Sequence, residues 1–145
     1  MNQSGRASII TILAIVSVVL LVGLLSLSRE SLTSVGSRFM VALKEGNVEQ
    51  LTKMSYLGNG SEEEMRRDWE LAVNTAGRYY KFEFRILGAT QESSDTASVR
   101  TQVIRDSDRP GSFEENFQIP LVRVGDEWKV DVRSISSQLY PGLPR

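Results

Sequence analysis

Hydrophobic and polar positions change their pattern three times along this chain. From residue 7 to residue 27 there is no charge and no proline: Ala-Ser-Ile-Ile-Thr-Ile-Leu-Ala-Ile-Val-Ser-Val-Val-Leu-Leu-Val-Gly-Leu-Leu-Ser-Leu. Apolar residues then recur at helical spacing. Leu32, Val35, Phe39, Ala42 and Leu43 predict a first amphipathic helix, which Gly46 stops. Asn47 can cap a short second helix marked by Val48, Leu51 and Met54. Gly58-Asn59-Gly60 reads as a turn, and Ser61 with Glu64 as a capping box. Met65, Trp69, Ala72, Val73 and Ala76 form the stripe of a third helix, ended by Gly77.

Beyond Gly77 the period falls from 3.6 to 2. Tyr80, Phe82, Phe84 and Ile86 alternate with Lys81, Glu83 and Arg85, and Ala97, Val99, Thr101 and Val103 with Ser98, Arg100 and Gln102. Phe113, Phe117, Ile119 and Leu121 share a face that Glu115 interrupts, and Trp128, Val130 and Val132 alternate with Lys129, Asp131 and Arg133. Short connections, including a tight turn at Gly125-Asp126, predict four half-buried antiparallel strands. Helices first and strands after make the class α+β. The last ten residues hold two prolines and predict an irregular tail.

The uncharged run is twenty-one residues. As a helix it is roughly 31 Å long, enough for a hydrocarbon core of about 30 Å. It predicts a single transmembrane helix over Ala7–Leu27. The rival is a cleaved signal peptide, for which Ser26-Leu27-Ser28 has suitable small residues; its apolar region would be shorter, about 7–15 residues. The expected organisation is a cytoplasmic tail over 1–6, the span over 7–27, a short linker over 28–33, a folded domain over 34–135 and an irregular tail over 136–145. Charges on the two sides of the span do not fix its orientation. A C-terminal domain outside the cytoplasm is the usual outcome for an N-terminal anchor, and the expected location is the bacterial inner membrane.

Composition narrows the chemistry. Net charge is −1, without a basic face-forming cluster, which argues against nucleic acid as a partner. Cysteine and histidine are both absent. Disulfides, a thiolate nucleophile and the commonest general base and metal ligand are thereby excluded. Asp106, Asp108 and Gly111 have a faint calcium-loop spacing, but Pro110 and Phe117 stand where that loop wants oxygen ligands. A solvated turn is the better reading, and neither a metal nor a cofactor is expected. Glu115 on an apolar face and Tyr80 are the candidates for acid–base work, since a buried carboxylate can act as a base.

Two stretches resemble the nuclear transport factor 2-like superfamily. One is Arg38-Phe39-Met40-Val41-Ala42-Leu43-Lys44-Glu45-Gly46-Asn47-Val48-Glu49, similar to that family's opening helix, glycine stop and second helix. The other runs from Phe117 to Val130 and is similar to its closing hairpin with a Trp-Lys-Val strand. The resemblance implies a cone of three helices wrapped by a curved four-stranded antiparallel sheet. It also implies a possible pocket lined by Trp69, Tyr80, Phe82, Phe84, Phe117 and Trp128, although such residues more often fill the core of a domain this small. Function is left open by a fold with many uses. The first expectation is an accessory or assembly subunit that binds another integral membrane protein, as single-pass assembly components of type IV secretion systems resemble this layout. The alternatives are an envelope domain for a small apolar ligand and a membrane-tethered isomerase or hydrolase.

Overall fold

A computed structural model of the protein describes Val16, residues 30–106 and residues 111–145. The expected span over Ala7–Leu27 therefore lies, apart from Val16, outside the described residues. Among the described residues no helix is long and apolar enough to cross a membrane. The chain divides into Met1–Ser31 and Leu32–Arg145, and the architecture that follows is that of the second unit.

Three helices come first: α1 (Leu32–Glu45), α2 (Val48–Met54) and α3 (Glu62–Leu71), the last continued by one π-helical turn over Ala72–Ala76. Their ends follow the local sequence signals. Gly46 closes α1 with φ of 67°, a left-handed conformation that costs glycine little. The Asn47 side chain accepts from the Gln50 N–H at 3.0 Å and so caps α2. Ser61 and Glu64 exchange both bonds of the capping box, at 3.2 and 3.0 Å. The buried face of α1 is Val35, Gly36, Phe39, Met40, Ala42 and Leu43.

Four strands follow: β1 (Phe82–Gln91), β2 (Thr96–Arg105), β3 (Phe113–Val124) and β4 (Glu127–Val130). They form one antiparallel sheet in the order β1-β2-β3-β4. The fold is thus α+β, with three helices and a four-stranded antiparallel sheet. The register stacks residues in rows across the sheet. Ala89, Val99 and Ile119 form one row; Ile86, Thr101 and Phe117 the next; then Phe84, Val103 and Glu115; and last Phe82, Arg105 and Phe113. Val99, Val103, Ile119 and Leu121 are fully buried among the helices, while Arg85, Arg100, Asn116 and Gln118 on the other face are exposed.

Two features depart from the alternation expected after Trp128. β4 stops at Val130, and Val132 opens a 3-10 turn, Val132–Ser134, instead of extending the strand. Trp128 itself is half-buried at the edge of the core. The tail is irregular, as its prolines imply, yet it is not peripheral: Leu139, Tyr140 and Leu143 are buried in the same core as Phe39 and Trp69.

Candidate functional site

One end of the core gathers aromatic and charged side chains from three elements and the tail. The approach to β1 supplies Tyr80 and Phe82, the end of β2 supplies Arg105, and the start of β3 supplies Glu115 and Phe117. The tail supplies Tyr140. The Tyr140 ring stands edge-on to Tyr80 at 5.4 Å and to Phe82 at 6.3 Å, and Tyr80 lies 5.7 Å from Phe82. These separations suit aromatic pairs, whose ring edges are attracted to neighbouring faces.

Arg105 is the hub. Its guanidinium lies 5.6 Å from the Tyr80 ring and 5.9 Å from the Phe117 ring, within range of a cation–π attraction. Its Nη2 is 3.0 Å from Glu115 Oε2 and also donates to the Gln138 carbonyl. The contact with Glu115 is charge against charge without hydrogen-bond alignment, since Glu115 Oε2 and Arg105 Nε are both buried and without a hydrogen-bond partner. About 27% of the Arg105 side chain and 29% of Glu115 stay exposed, so water screens the pair in part.

The tail closes this end. The Tyr80 hydroxyl donates to the Leu139 carbonyl at 3.1 Å. Arg145 Nη1 donates to the carbonyls of Arg133 and Ile135 at 3.0 and 2.9 Å, which folds the chain end back on itself. Gly77 makes room for the seal: a Cβ there would overlap the Tyr140 hydroxyl. Burial raises the Tyr140 pKa, with the Tyr80 hydroxyl adding to the effect. Burial also raises the Tyr80 pKa, opposed by Arg105 and helped by Glu115. Both phenols are therefore held protonated.

No protein-family model matches the sequence, and no curated protein does. Solved structures do match, over about two thirds of this chain. A domain of unknown function with a cystatin-like fold from Nostoc punctiforme is 12% identical over 68% of this chain and 69% of its own, with a TM-score of 0.50. A ketosteroid isomerase-like protein from Erwinia carotovora atroseptica is 13% identical over 67% and 85%, at 0.49. A nuclear transport factor 2-like protein of unknown function from Shewanella oneidensis is 12% identical over 66% and 88%, at 0.47. The first of these shows the fold: the domain is cystatin-like. At such identities the likeness is one of fold alone.

Within this domain the six expected lining residues part company. Tyr80, Phe82 and Phe117 gather at the mouth, and Phe84 sits in the row between those of Phe82 and Phe117, half-buried beside Val103. Trp69 is elsewhere, fully buried against the Phe39 ring at 6.1 Å. Its Nε1 donates to Ser55 Oγ at 2.9 Å, and that hydroxyl donates on to the Leu51 carbonyl at 2.7 Å. Trp128 lies on β4 opposite Arg123, away from the mouth. Of the two acid–base candidates, Tyr80 is committed as a donor to the tail and Glu115 faces Arg105. Asp108 of the faint calcium spacing lies outside the described residues, and no group of acidic residues among the described ones could hold a metal ion.

Two members of the mouth cluster have no place in the expected set. Arg105 had a signal in the sequence, because it continues the inward phase of Thr101 and Val103. An inward arginine calls for an inward acid, and Glu115 is the one on the neighbouring strand. Tyr140 had none, since its partners lie at least 58 residues away, at Tyr80 and Phe82. Three of the open grooves on the described surface stand out, and one of them reaches Glu115 and Phe117 of the mouth. They measure about 490 Å³ beside Tyr56, Leu57 and Val124, about 390 Å³ along β3, and about 260 Å³ along α1.

Proposed function

We propose that the chain is a single-pass membrane protein whose domain acts by binding rather than by catalysis, as an accessory or assembly subunit of a membrane-protein complex. The observation that carries this reading is the closed mouth. The chain's own tail packs over this end of the core, and its carbonyls engage both Tyr80 and Arg105. The open grooves beside Tyr56 and along α1 hold no residue of the mouth and lie where a protein partner would meet them. The uncharged run Ala7–Leu27 supports an anchor of spanning length, and a linker over 28–33, roughly 20 Å at full extension, keeps the domain near the bilayer. A neighbouring integral protein is then the simplest partner, with the domain on the extracytoplasmic side of the inner membrane.

Extraction in mild detergent, followed by size analysis and mass spectrometry of co-purifying chains, tests the reading. A defined complex that is lost when about fifteen Gly/Ser residues are inserted after Ser28 supports it. A monomeric particle with no companion overturns it. Because the chain lacks cysteine, Asp126→Cys reports orientation cleanly: an impermeant thiol reagent should label it in intact cells.

A second reading, an envelope domain for a small apolar ligand, draws on the Tyr80, Phe82, Phe117 and Tyr140 rings beneath a segment without regular secondary structure. It requires the tail to move. Binding of an apolar dye that Tyr140→Ala enhances would favour it. A tethered isomerase or hydrolase has less support, given how Tyr80 and Glu115 are engaged.

A further inference from the structure

β3 is twelve residues long and β4 only four. The β4 ladder covers Leu121–Val124, and one more bond, from the Asp131 N–H to the Pro120 carbonyl at 2.9 Å, carries it to residue 120. There it stops for a local reason. An antiparallel pair of this kind exchanges two bonds, and Pro120 has no N–H to return. The chain after Asp131 turns into the 3-10 helix. Among the described residues, Phe113–Ile119 thus has β2 on one side and no strand on the other.

The register decides which groups face the open side. The β2–β3 ladder runs without a slip from Thr96↔Val122 to Arg105↔Phe113. The Pro120 carbonyl points toward the β4 side, so alternation turns the N–H and C=O of Gln118, Asn116 and Glu114 the same way. The groove of about 390 Å³ runs along this edge, with Asn116, Phe117 and Gln118 on one wall and Ser134, Ser136 and Gln138 on the other. The second wall does not pair with β3. The N–H groups of Ser134, Ile135 and Leu139 bond back to Asp131, Val132 and Ser136, and the Gln138 carbonyl is taken by Arg105.

We propose that this groove is the docking site for an extended segment of a partner protein, which adds to β3 as a strand along Glu114–Gln118. Main-chain bonds would hold such a strand, and side chains would select it. Phe113, 60% exposed at the inward-facing end of the edge, calls for an apolar residue opposite. Glu114, exposed on the outer face, calls for Lys or Arg. The segment therefore alternates apolar and basic residues. A second copy of this chain fits less well, because edge-to-edge pairing brings its own Ser134–Gln138 wall into the same groove.

This inference rests on the reading of the domain as a binding module, and the two fail separately. A complex that co-purifies while the peptide below does not bind leaves the module and removes the edge. The probe is a fluorescein-labelled octapeptide alternating Lys and Val, titrated by anisotropy against the full-length protein in detergent. Saturable binding is expected, weakened about tenfold or more by Gln118→Pro, which deletes one groove-facing N–H, and by Glu114→Lys. Because a proline also restricts the strand's own backbone, wild-type protein is titrated as well with the peptide N-methylated on all Lys or on all Val residues. One of these should lose binding and the other keep it, because only one set of N–H groups can face β3. Equal binding of both, or no saturable binding up to about 1 mM, overturns the proposal. So does an Asn116→Cys variant that cross-links to a dimer under oxidation, which would make a second copy the occupant.

Discussion

The two ends of this core are built on different principles. At the Trp69 end, large apolar side chains from α1, α2 and α3 pack against one another, the indole N–H is met by Ser55 a helix away, and the Ser55 and Thr52 hydroxyls donate to carbonyls of α2. At the mouth, aromatic rings surround an arginine, and the seal is made by carbonyls of a tail without regular structure. The first end owes its order to burial, which is insensitive to small displacements. The second owes it to directional contacts, and those that Tyr80 and Arg105 make with Leu139 and Gln138 depend on where residues 136–145 lie. The difference implies that the Trp69 end carries the stability and the mouth carries whatever can be opened.

The largest expected effect falls at the Trp69 end. Trp69→Ala should lower the unfolding free energy by about 3–5 kcal/mol, as truncation of a fully buried aromatic does, and should leave the Ser55 hydroxyl short of a donor. Denaturant unfolding of the isolated variant measures it. A loss under about 1 kcal/mol would mean that the core is not organised around this residue.

Tyr140→Ala should cost less, about 2–4 kcal/mol, because the tail can be lost without unfolding the sheet. Gly77→Ala should reproduce much of it by displacing the same ring. The double variant should then fall well short of the sum of the two, since both remove one docking event. Full additivity would show that Gly77 and the tail act independently, and a Tyr140 effect equal to that of Trp69 would make the two ends a single core.

These two ends also differ in how far the sequence discloses them. The stripe of α1, the Gly46 stop, the Asn47 cap and the Ser61–Glu64 box depend on residues within four positions of one another and are met in the structure, while the expected stripe of the third helix fails at its end, where Ala76 is exposed in the π-helical turn. The alternating strands are equally plain, because one buried face imposes the period. The mouth is not. Leu139, Tyr140 and Leu143 have no periodicity among prolines and glycines, and only the folded sheet gives them something to touch. The end of β4 was hidden for a related reason: Trp128, Val130 and Val132 keep the strand period, but Pro120 on the facing strand ends the ladder.

Trp128 sharpens the point. Its alternation alone suggests a core residue as costly to truncate as Trp69. The structure leaves it half-buried on a four-residue edge strand, so Trp128→Ala should cost only about 1–2 kcal/mol. Equal losses for the two tryptophans, in parallel denaturant titrations, would restore it to the core.

The smallest effect is the most specific to the mouth. Tyr80 and Tyr140 both have pKa values raised chiefly by burial, so the phenolate is disfavoured in the folded state. Their unfolded values are near the ordinary ~10. Above that pH the unfolded chain releases these protons while the folded chain retains them. Unfolding is then favoured by alkali: the stability held by the mouth is fully present below about pH 10 and declines as pH rises through the folded values. Absorbance at 295 nm follows phenolate formation. The component missing from Tyr80→Phe, and that missing from Tyr140→Phe, should each titrate above the ordinary range in the wild type. Tyr140→Ala then asks what buries Tyr80. If the tail does, its loss lets water reach the hydroxyl, the opposing pull of Arg105 is no longer outweighed, and the Tyr80 component moves down. A Tyr80 titration unchanged in Tyr140→Ala would mean that helices and sheet close the mouth without the tail, and the contrast between a packed end and an openable one would not hold.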